Sequence, residues 1–504
     1  MSAIHSSRRL LLLGSSWSRR VSTAWSMPLR AKISNPVFLA KAEMATAATA
    51  DHDDVLFEVN RAARIVRLNR PRKLNALNES MLTKLTPRIT EWGKSDAAKL
   101  LIIRGEGGKA LCAGGDVAAL LGVPPTKSTG FFTKEYTLDY ILATYPKPIV
   151  TFMDGITMGG GAGLCMHTPF RIATEKTAFA MPETLIGFYP DVGASFFLSR
   201  LDGELGTYLA VTGERLNGFD AYFAGAATHF VPSEKLKDLE ARLAELDTVE
   251  DLTGSRKYNA VINNAIDDFQ TEVPVDYKFF YGGDKGKTID ACFKFETMEE
   301  ITDALTKAAD AGDEFANSTL DTINLRSPLS MKVALAAVRK GKTIDILETF
   351  KDDMFIASKF MTEPDFQTGV SYRLVEKQNG RADWEDASNV DITKFWPKGN
   401  EVPESLQATF AELDQLGHDR SAEEVAYKEY PFHNSLPTEK EVEQFVLGEA
   451  RNSGPFLATK EEVIEYFLVE YRGKIGVREK VAEILDRKTQ IVKGHEDEQL
   501  INWV

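Results

Sequence analysis

The chain has 504 residues and a formal net charge of −14, with 43% hydrophobic and 27% charged residues. This length exceeds that of one ordinary domain, and the composition is typical of globular proteins with substantial cores. No apolar run reaches the length of a membrane-spanning helix. The three cysteines, Cys112, Cys165 and Cys292, lack the spacing of a disulfide framework or a zinc site. We expect them to be small buried side chains in a reducing compartment.

The first 42 residues contain five arginines, two lysines and many serines, but no acidic residue. This composition is typical of a mitochondrial transit peptide, with a disordered basic tail as the alternative. We therefore predict that residues 1–42 are a leader and that the protein resides in the mitochondrial matrix. Removing the leader would change the net charge from −14 to about −21. Such acidity argues against nucleic acid as the main partner, because phosphate binding depends on Lys and Arg.

Strands and helices alternate along the first half of the chain, which predicts an α/β fold. Residues 55–70 predict two short strands around Asn60–Arg61, and residues 100–104 and 149–153 predict buried strands. Helical periodicity predicts helices at 78–92, with Asn78 as N-cap, and at 131–145, 297–311, 327–339 and 345–373.

The composition changes along the chain and suggests three regions after the leader. We predict a ββα core carrying the site at residues 50–235, a helical region at 236–398, and an acidic helical extension at 399–504. The polar, turn-rich residues 379–400 favour a boundary there. Residues 401–504 hold 22 acidic and 12 basic residues, or −10 of the net charge of −14. This charge favours protein partners over RNA, with a solvated appendage as the alternative.

Two glycine-rich loops follow predicted strands, AGGD at residues 113–116 and GITMGGGAG at residues 155–163. Glycine lets a backbone N–H group approach a ligand, and a helix N-terminus adds unpaired N–H groups. Two such loops could direct two N–H groups at one oxygen and form an oxyanion hole. Each loop alone also fits a tight turn before a helix. Neither has the pattern of a dinucleotide or phosphate-binding loop.

Carboxylates occur in two otherwise apolar segments. Glu183 and Asp191 lie in MPETLIGFYPDVG, residues 181–193, where burial would raise the pKa of a carboxyl group and yield a poised acid or base. Glu135 lies in the predicted helix that contains Phe131 and Phe132. Two alternatives remain open: Asp191 caps a helix that begins near residue 193, and Glu135 faces solvent.

Together these segments resemble the crotonase superfamily. RPRKLNAL at residues 70–77 is similar to its CoA-side signature, and residues 112–116 and 159–161 are similar to its two oxyanion loops. The resemblance implies a spiral of ββα units followed by a helical region, an acyl-CoA substrate and no cofactor. It also implies that the N–H groups of Gly115 and Gly160 hold the thioester oxygen, and that CoA lies near Lys73 and Leu74.

Within the superfamily, the chain most resembles the 3-hydroxyisobutyryl-CoA hydrolases, through residues 181–193, GITMGGGAGL and ATHFV at residues 227–231. Hydratases carry a glutamate where this chain has Gly163, whereas this chain has Asp191 eight residues after Glu183. The resemblance implies thioester hydrolysis in valine catabolism. Glu183 would act as nucleophile or general base and Asp191 would carry protons. The substrate would be bound by Glu135, Gly160, Glu183 and Asp191.

Two features depart from that pattern. The last long helix carries Asp353-Met354-Phe355 without the arginine often found there, and the simplest hydrolases lack the acidic extension. A hydrolase-like chain with such an extension also resembles fungal mitochondrial proteins of the small ribosomal subunit. That resemblance implies ribosomal protein partners through residues 399–504, alone or in addition to enzyme activity. A hydratase or isomerase is a third alternative. Acyl-group preference and oligomeric state do not follow from the sequence.

Overall fold

The computed structural model describes residues 53–246, 256–397, 404–416, 420–450, 453, 457–493 and 499–504. The predicted leader and the predicted boundary at residue 399 lie outside these residues. Residues Asp54–Val504 form one compact unit, and the three regions within it stay a prediction. No helix in the described part of the chain has the length and apolar character needed to span a bilayer.

Ten strands described between residues 55 and 230 form two sheets, with orders β1-β2-β3-β5-β7-β10 and β4-β6-β8-β9. Neighbouring strands are parallel, except that β1 pairs antiparallel with β2, and β8 with β9. The strands are β1 (Val55–Asn60), β2 (Ala63–Leu68), β3 (Leu100–Gly105), β4 (Ala110–Cys112), β5 (Ile149–Met153), β6 (Ile156–Met158), β7 (Phe170–Ala173), β8 (Ala178–Ala180), β9 (Leu216–Asn217) and β10 (His229–Phe230).

Successive strand pairs divide between the two sheets, since β3, β5 and β7 lie in the first and β4, β6 and β8 in the second. A helix follows each pair, which gives the predicted spiral of ββα units and confirms the α/β fold. The helices of this part are α1 (Glu79–Lys94), α2 (Pro125–Ala143), α3 (Gly160–Met166), α4 (Ala194–Leu198), α5 (Leu205–Thr212) and α6 (Phe219–Phe223).

Local signals explain several helix ends. The side chain of Asn78 accepts a hydrogen bond from the Met81 N–H and caps α1, as predicted. Helix α2 begins six residues before the predicted start because Pro125 occupies its first turn, where the missing N–H costs nothing. The segment after Asp116 forms only a short 3-10 turn, Val117–Leu120.

The helical region is confirmed for residues 297–311 and 327–339, but the single helix predicted at 345–373 is wrong. Helix α13 ends at Phe360 and α14 starts at Pro364, because proline lacks an N–H group and holds Glu363 in an extended conformation. The helices are α7 (Leu236–Ala244), α8 (Arg256–Asp267), α9 (Gly283–Phe293), α10 (Met298–Asp310), α11 (Glu314–Asn324), α12 (Pro328–Gly341), α13 (Ile346–Phe360) and α14 (Pro364–Val370).

The C-terminal extension is helical but ends in an antiparallel pair of strands that the sequence did not predict. Ile491 pairs with Ile501, which is fully buried, so the alternating pattern near the C-terminus is that of a strand. The elements are α15 (Glu404–Leu416), α16 (Ala422–Val425), α17 (Glu439–Val446), α18 (Lys460–Glu470), α19 (Val477–Lys488), β11 (Thr489–Lys493) and β12 (Gln499–Trp503).

The first sheet is buried on both faces because side chains of successive strand residues point in opposite directions. Leu101 and Ile103 belong to the main hydrophobic cluster, whereas Leu100 and Ile102 pack in a second cluster with side chains of α7 and α8. Burial of each such side chain contributes about 1.5–3 kcal/mol. This rigid sheet supports the loops at the carboxyl ends of its strands.

The extension packs on the core through buried polar groups as well as apolar side chains. Tyr140 Oη donates to the Val425 carbonyl oxygen at 3.0 Å, and Lys480 Nζ donates to Asp202 at 2.6 Å. The Lys480 side chain is 4% exposed. We infer that the extension stabilises the core in this structure.

Candidate active site

The two glycine-rich loops meet at the N-terminus of α3. A Cβ atom on Gly114 would lie 3.8 Å from the amide nitrogen of Gly160, so the loops are in backbone contact. Gly114 and Gly159 have φ values of +103° and +50°, which L side chains rarely adopt. The N–H groups of Gly115 and Gly160 donate no hydrogen bond to any described residue. The structure therefore leaves two neighbouring main-chain donors free for a ligand.

The first loop is held by the segment that resembles the CoA-side signature. The Leu77 N–H donates to the Gly114 carbonyl oxygen at 2.8 Å, and the Asp116 N–H donates to the Leu77 carbonyl oxygen at 2.7 Å. The Arg70 guanidinium donates to the Asp116 carboxylate at 2.9 Å. These bonds fix the loop on both sides of Gly115.

Lys73 and Leu74, predicted to contact CoA, lie in the same segment. Lys73 is exposed in a 3-10 turn, and Leu74 follows it in a left-handed conformation with φ of 49°. The Leu74 carbonyl oxygen accepts a hydrogen bond from the Ala113 N–H at 3.0 Å. The two residues thus border the first loop, and their contact with CoA stays a prediction.

Glu183 and Glu135 reach the second loop from different elements. Glu183 lies in a 3-10 turn after β8, and Glu135 lies in α2. Glu183 Oε1 lies 2.7 Å from the position of a Cβ atom on Gly159, and Glu135 Oε1 lies 2.1 Å from that on Gly160. Glu135 Oε1 and Glu183 Oε2 are buried without a hydrogen-bond partner among the described residues. Two acids are therefore directed at the same glycine turn.

The solvent-facing alternative for Glu135 is wrong. Glu135 is 2% exposed, whereas the neighbouring Lys134 forms an ion pair with Glu79 on the surface. The two side chains point in different directions because consecutive residues on a helix lie on different faces.

Asp191 does not cap α4, so that alternative is wrong as well. The N-cap of α4 is Gly193, and no side chain caps it. Instead, Asp191 Oδ2 accepts a hydrogen bond from Tyr136 Oη at 2.6 Å. Tyr136 follows Glu135 on α2, so one helix contacts both the second loop and Asp191.

The backbone next to Asp191 is strained and held by two buried side chains. Val192 is β-branched and has φ of 55°, a conformation that costs about 1–3 kcal/mol. His167 Nε2–H donates to the Val192 carbonyl oxygen at 2.9 Å, and Asp353 Oδ2 accepts from the Gly193 N–H at 2.6 Å. Burial lowers the pKa of His167 to about 4, so its ring is neutral at pH 7. These contacts fix the position of the Asp191 carboxyl group.

The buried acids do not ionise together. Burial raises the pKa of Asp191 to about 7, although the hydrogen bond from Tyr136 opposes this shift. Burial, and then the charge of Asp191, raise the pKa of Glu135 and of Glu183 well above the usual range. Asp191 therefore loses its proton before its two neighbours. When Asp191 ionises, its carboxylate stands beside acids that hold their protons more tightly, an arrangement suited to proton transfer.

Sequence reasoning assigned no role in the site to three residues of this cluster: Tyr136, Asp139 and Asp353. Asp139 is fully buried and lies four residues after Glu135, a spacing in an apolar helix that places both acids on one face. That spacing was a signal for Asp139. Asp353 was noticed only for the arginine missing after it, and nothing in the sequence links it to Gly193.

Free main-chain donors beside buried acids can stabilise an oxyanion while a carboxylate attacks or activates water. Such a site is suited to acyl transfer from a thioester. In the described part of the chain, no group of three or more His, Cys, Asp or Glu side chains is arranged to hold a metal ion.

The family model of enoyl-CoA hydratase/isomerase matches residues 63–397. The small ribosomal subunit protein mS47 of Neurospora crassa is 44% identical over 496 residues, which cover 94% of each chain. The mitochondrial 3-hydroxyisobutyryl-CoA hydrolase of Gallus gallus is 39% identical over 357 residues, covering 69% of this chain and 90% of that protein. The human hydrolase is 39% identical over 346 residues, covering 68% of this chain and 86% of that protein.

Two solved structures of acyl-CoA enzymes have a similar fold. A carnitinyl-CoA dehydratase from Mycobacterium thermoresistibile superposes with a TM-score of 0.61 and 29% identity, covering 70% of this chain and 98% of that one. An enoyl-CoA hydratase from Rhodobacter sphaeroides superposes with a TM-score of 0.58 and 30% identity, covering 68% and 96%. The chain therefore belongs to the enoyl-CoA hydratase/isomerase family, that is, to the crotonase superfamily that its motifs resemble.

Proposed function

We propose that the protein hydrolyses 3-hydroxyisobutyryl-CoA to 3-hydroxyisobutyrate and CoA in the mitochondrial matrix, as a step of valine catabolism. The observation that carries this proposal is the position of Glu183 at the glycine turn that carries the free N–H group of Gly160, next to the free N–H group of Gly115, with Asp191 close enough for its charge to act on Glu183. The similarity to curated hydrolases over about two thirds of the chain supports the substrate class.

The oxyanion hole would polarise the thioester carbonyl group. The N–H groups of Gly115 and Gly160 would donate hydrogen bonds to its oxygen. These bonds would become stronger as negative charge develops on that oxygen. A single donor of this kind typically contributes a factor of about 10²–10³ in rate. The bonds from Leu77 and Arg70 to the first loop would keep the donors in place before substrate binds.

Glu183 would then act on the activated carbonyl carbon. As a nucleophile, it would form a mixed anhydride and expel the CoA thiolate, and water would hydrolyse the anhydride. As a general base, it would take a proton from water, which would attack the carbon directly. Both routes use Glu183 ionised, so Glu183 would first pass its proton to the Asp191 carboxylate, the group of the cluster that ionises first. Glu135 would bind the polar end of the acyl group. Neither route draws on a cofactor.

A panel of CoA thioesters tests the proposal with purified protein. Release of free thiol from 3-hydroxyisobutyryl-CoA and 3-hydroxypropionyl-CoA is expected, whereas hydration of crotonyl-CoA is not, since Gly163 supplies no second carboxylate. Turnover of crotonyl-CoA without thiol release from any thioester would favour a hydratase and overturn the proposal.

A second role is supported by one specific observation. The similarity to the Neurospora crassa ribosomal protein covers 94% of this chain, including the extension, whereas the animal hydrolases cover about two thirds of it. We propose that the protein also binds protein components of the mitochondrial small ribosomal subunit through residues 399–504. Exposed apolar side chains of the extension, at Leu447, Leu457, Val469 and Ile491, suit such a contact.

Sedimentation of mitochondrial extracts tests the second role on the full chain. Replacing the four exposed apolar side chains by serine is expected to release the protein from the small-subunit fraction while thioesterase activity stays unchanged. Glu183→Gln is the matched control and is expected to remain with the ribosome. If wild-type protein does not sediment with the small subunit, the second role is wrong.

A further inference from the structure

Asp139 is a buried acid that the proposed mechanism does not use. Its side chain is fully buried, and neither carboxyl oxygen has a hydrogen-bond partner among the described residues. Leaving a polar group buried and unpaired costs about 1–3 kcal/mol. Because nothing in the described fold pairs with it, the group is better explained by a ligand than by packing.

Asp139 lies one turn after Glu135 on the same face of α2. Glu135 Oε1 lies against Gly160, and Asp139 Oδ2 lies 2.5 Å from the position of a Cβ atom on Gly163. Gly160 and Gly163 are one turn apart on α3, as the two acids are on α2. The two glycines therefore admit two carboxyl groups to the backbone of α3, starting at the oxyanion loop.

Asp139 also belongs electrostatically to the site. Burial, and then the charges of Glu135, Asp191 and Asp353, raise the pKa of the Asp139 carboxyl group well above the usual range. A protonated carboxyl group both donates and accepts hydrogen bonds, as a hydroxyl group does. An alcohol is therefore a suitable partner for it.

The spacing suits a hydroxyl group on the third carbon of an acyl chain. With bonds of about 1.5 Å, such an oxygen stands roughly 4 Å from the thioester carbon. Three residues of α3 separate the level of Gly160, near which the carbonyl oxygen would be held, from that of Gly163, and they rise about 4.5 Å. A hydrogen bond from the hydroxyl group can cover the difference.

We propose that Asp139, together with Glu135, recognises a hydroxyl group on the third carbon of the acyl chain and so determines specificity for 3-hydroxyacyl thioesters. This inference rests on the proposed thioesterase function. Sites that hydrogen-bond a substrate hydroxyl group reject the analogue lacking it strongly, because the polar groups of the site are then left unpaired.

Two thioesters with one carbon skeleton test the inference: 3-hydroxyisobutyryl-CoA and isobutyryl-CoA, which lacks the hydroxyl group. Wild-type protein is expected to prefer the first by at least about 100-fold in kcat/KM. Asp139→Leu, of similar size, is expected to lose at least about tenfold on the hydroxylated substrate and to stay within about twofold on the other. Asp139→Asn keeps the hydrogen-bonding groups and is expected to retain most of the preference.

A structural role for Asp139 would give a different result. Because Asp139→Leu removes an unpaired buried acid, its thermal midpoint is expected to equal or exceed that of the wild type. Thr137→Val is the matched control on α2, since among the described residues the Thr137 hydroxyl group bonds only the Thr133 carbonyl oxygen. It is expected to leave the ratio of the two substrates unchanged.

The outcomes separate the two proposals. If wild-type protein hydrolyses both thioesters and Asp139→Leu keeps their ratio, or slows both equally, Asp139 does not recognise the hydroxyl group although the thioesterase function stands. If wild-type protein hydrolyses neither thioester, the proposed function is wrong and this inference is wrong with it.

Discussion

At the residue scale, the hydrogen bond from Tyr136 to Asp191 controls when the site ionises. The bond stabilises the carboxylate and opposes the rise that burial causes in the pKa of Asp191, which is about 7. If Asp191 acts as a proton acceptor, kcat/KM for thioester hydrolysis should increase with pH through about 7. Tyr136→Phe should move this rise in the pH–rate profile to higher pH by about one unit, because the variant lacks one charge-assisted hydrogen bond to the carboxylate.

A pH–rate profile of both proteins measures this shift. Thr133→Val is a suitable control, because the hydroxyl group of this half-buried residue on α2 bonds only the Thr129 carbonyl oxygen within the described part of the chain. It should leave the profile unchanged. A limb that stays in place in Tyr136→Phe, or moves to lower pH, would show that the bond does not stabilise the ionised form.

The same acid affects stability. Burial raises the pKa of Asp191 from 3.8 to about 7, so the folded protein binds more protons than the unfolded chain between these values. The contribution of Asp191 to the free energy of unfolding should therefore be greatest at low pH. It should decrease as pH rises and be lost above about 7. Asp191→Asn should reduce the fall in unfolding free energy between pH 5 and pH 7.5, measured by urea denaturation. An unchanged fall would contradict this assignment.

The residues that the sequence predicted and those that it missed differ in a physical way. Glu183 and Asp191 stood out because carboxylates are rare in apolar segments. Tyr136 and Asp353 do not stand out from the helices that carry them, and only the fold brings them to the Asp191 loop, over 55 and 160 residues. Helix periodicity places Glu135 on a face, but only the packing of α2 on α3 decides that this face is buried.

At the element scale, close packing of α3 against β4 makes Gly161 irreplaceable. A Cβ atom on Gly161 would lie 2.2 Å from the Cys112 carbonyl oxygen, and a backbone atom cannot move aside cheaply. Gly161→Ala should lower the free energy of unfolding by about 1–3 kcal/mol. Gly130 in α2 is the matched control because its Cβ position is open, so Gly130→Ala should increase it by about 0.5–1 kcal/mol.

Chemical denaturation of the two variants measures both changes in the free energy of unfolding. Equal destabilisation by the two substitutions would mean that glycine is required on these helices for a reason other than the contact with Cys112.

Element boundaries were predictable where a local signal exists. The Asn78 cap and the strand at residues 149–153 are examples. The helix predicted at 345–373 ignored Pro364, although proline after Glu363 is a local signal to stop. The pairing of β11 with β12 had no comparable signal, since its register depends on the burial of Ile501.

At the scale of the whole molecule, the extension and the core share buried charges. Lys480 bonds the Asp202 carboxylate and the Phe223 carbonyl oxygen, and Arg487 pairs with Asp290, Glu439 and Glu483. Lys480→Met should lower stability by about 1–3 kcal/mol, because it removes the partner of Asp202 Oδ2 in a partly buried site and leaves Asp202 Oδ1 with its bond from the Glu439 N–H. Thermal unfolding should show one transition in both proteins, shifted to lower temperature in the variant.

Two separate transitions, with only the smaller one shifted, would contradict this account and mark the extension as an independent unit. Lys460→Met is the control, since Lys460 forms its ion pair with Asp486 at the surface of the extension and should change stability by less than about 1 kcal/mol.

The extension also contacts the site indirectly. Tyr430 Oη lies 3.4 Å from His167 Nδ1, and the other ring nitrogen of His167 bonds the strained Val192 beside Asp191. Tyr430 of the extension is therefore linked to the Asp191 loop through the ring of His167.

The most direct test of the central claim is the rate at which purified protein releases thiol from saturating 3-hydroxyisobutyryl-CoA, compared with that of Glu183→Gln. The amide keeps the size of the side chain but can neither attack the carbonyl carbon nor accept a proton. We predict steady turnover by the wild type and a loss of at least about 10³-fold in the variant. Equal rates in the two proteins would contradict the account.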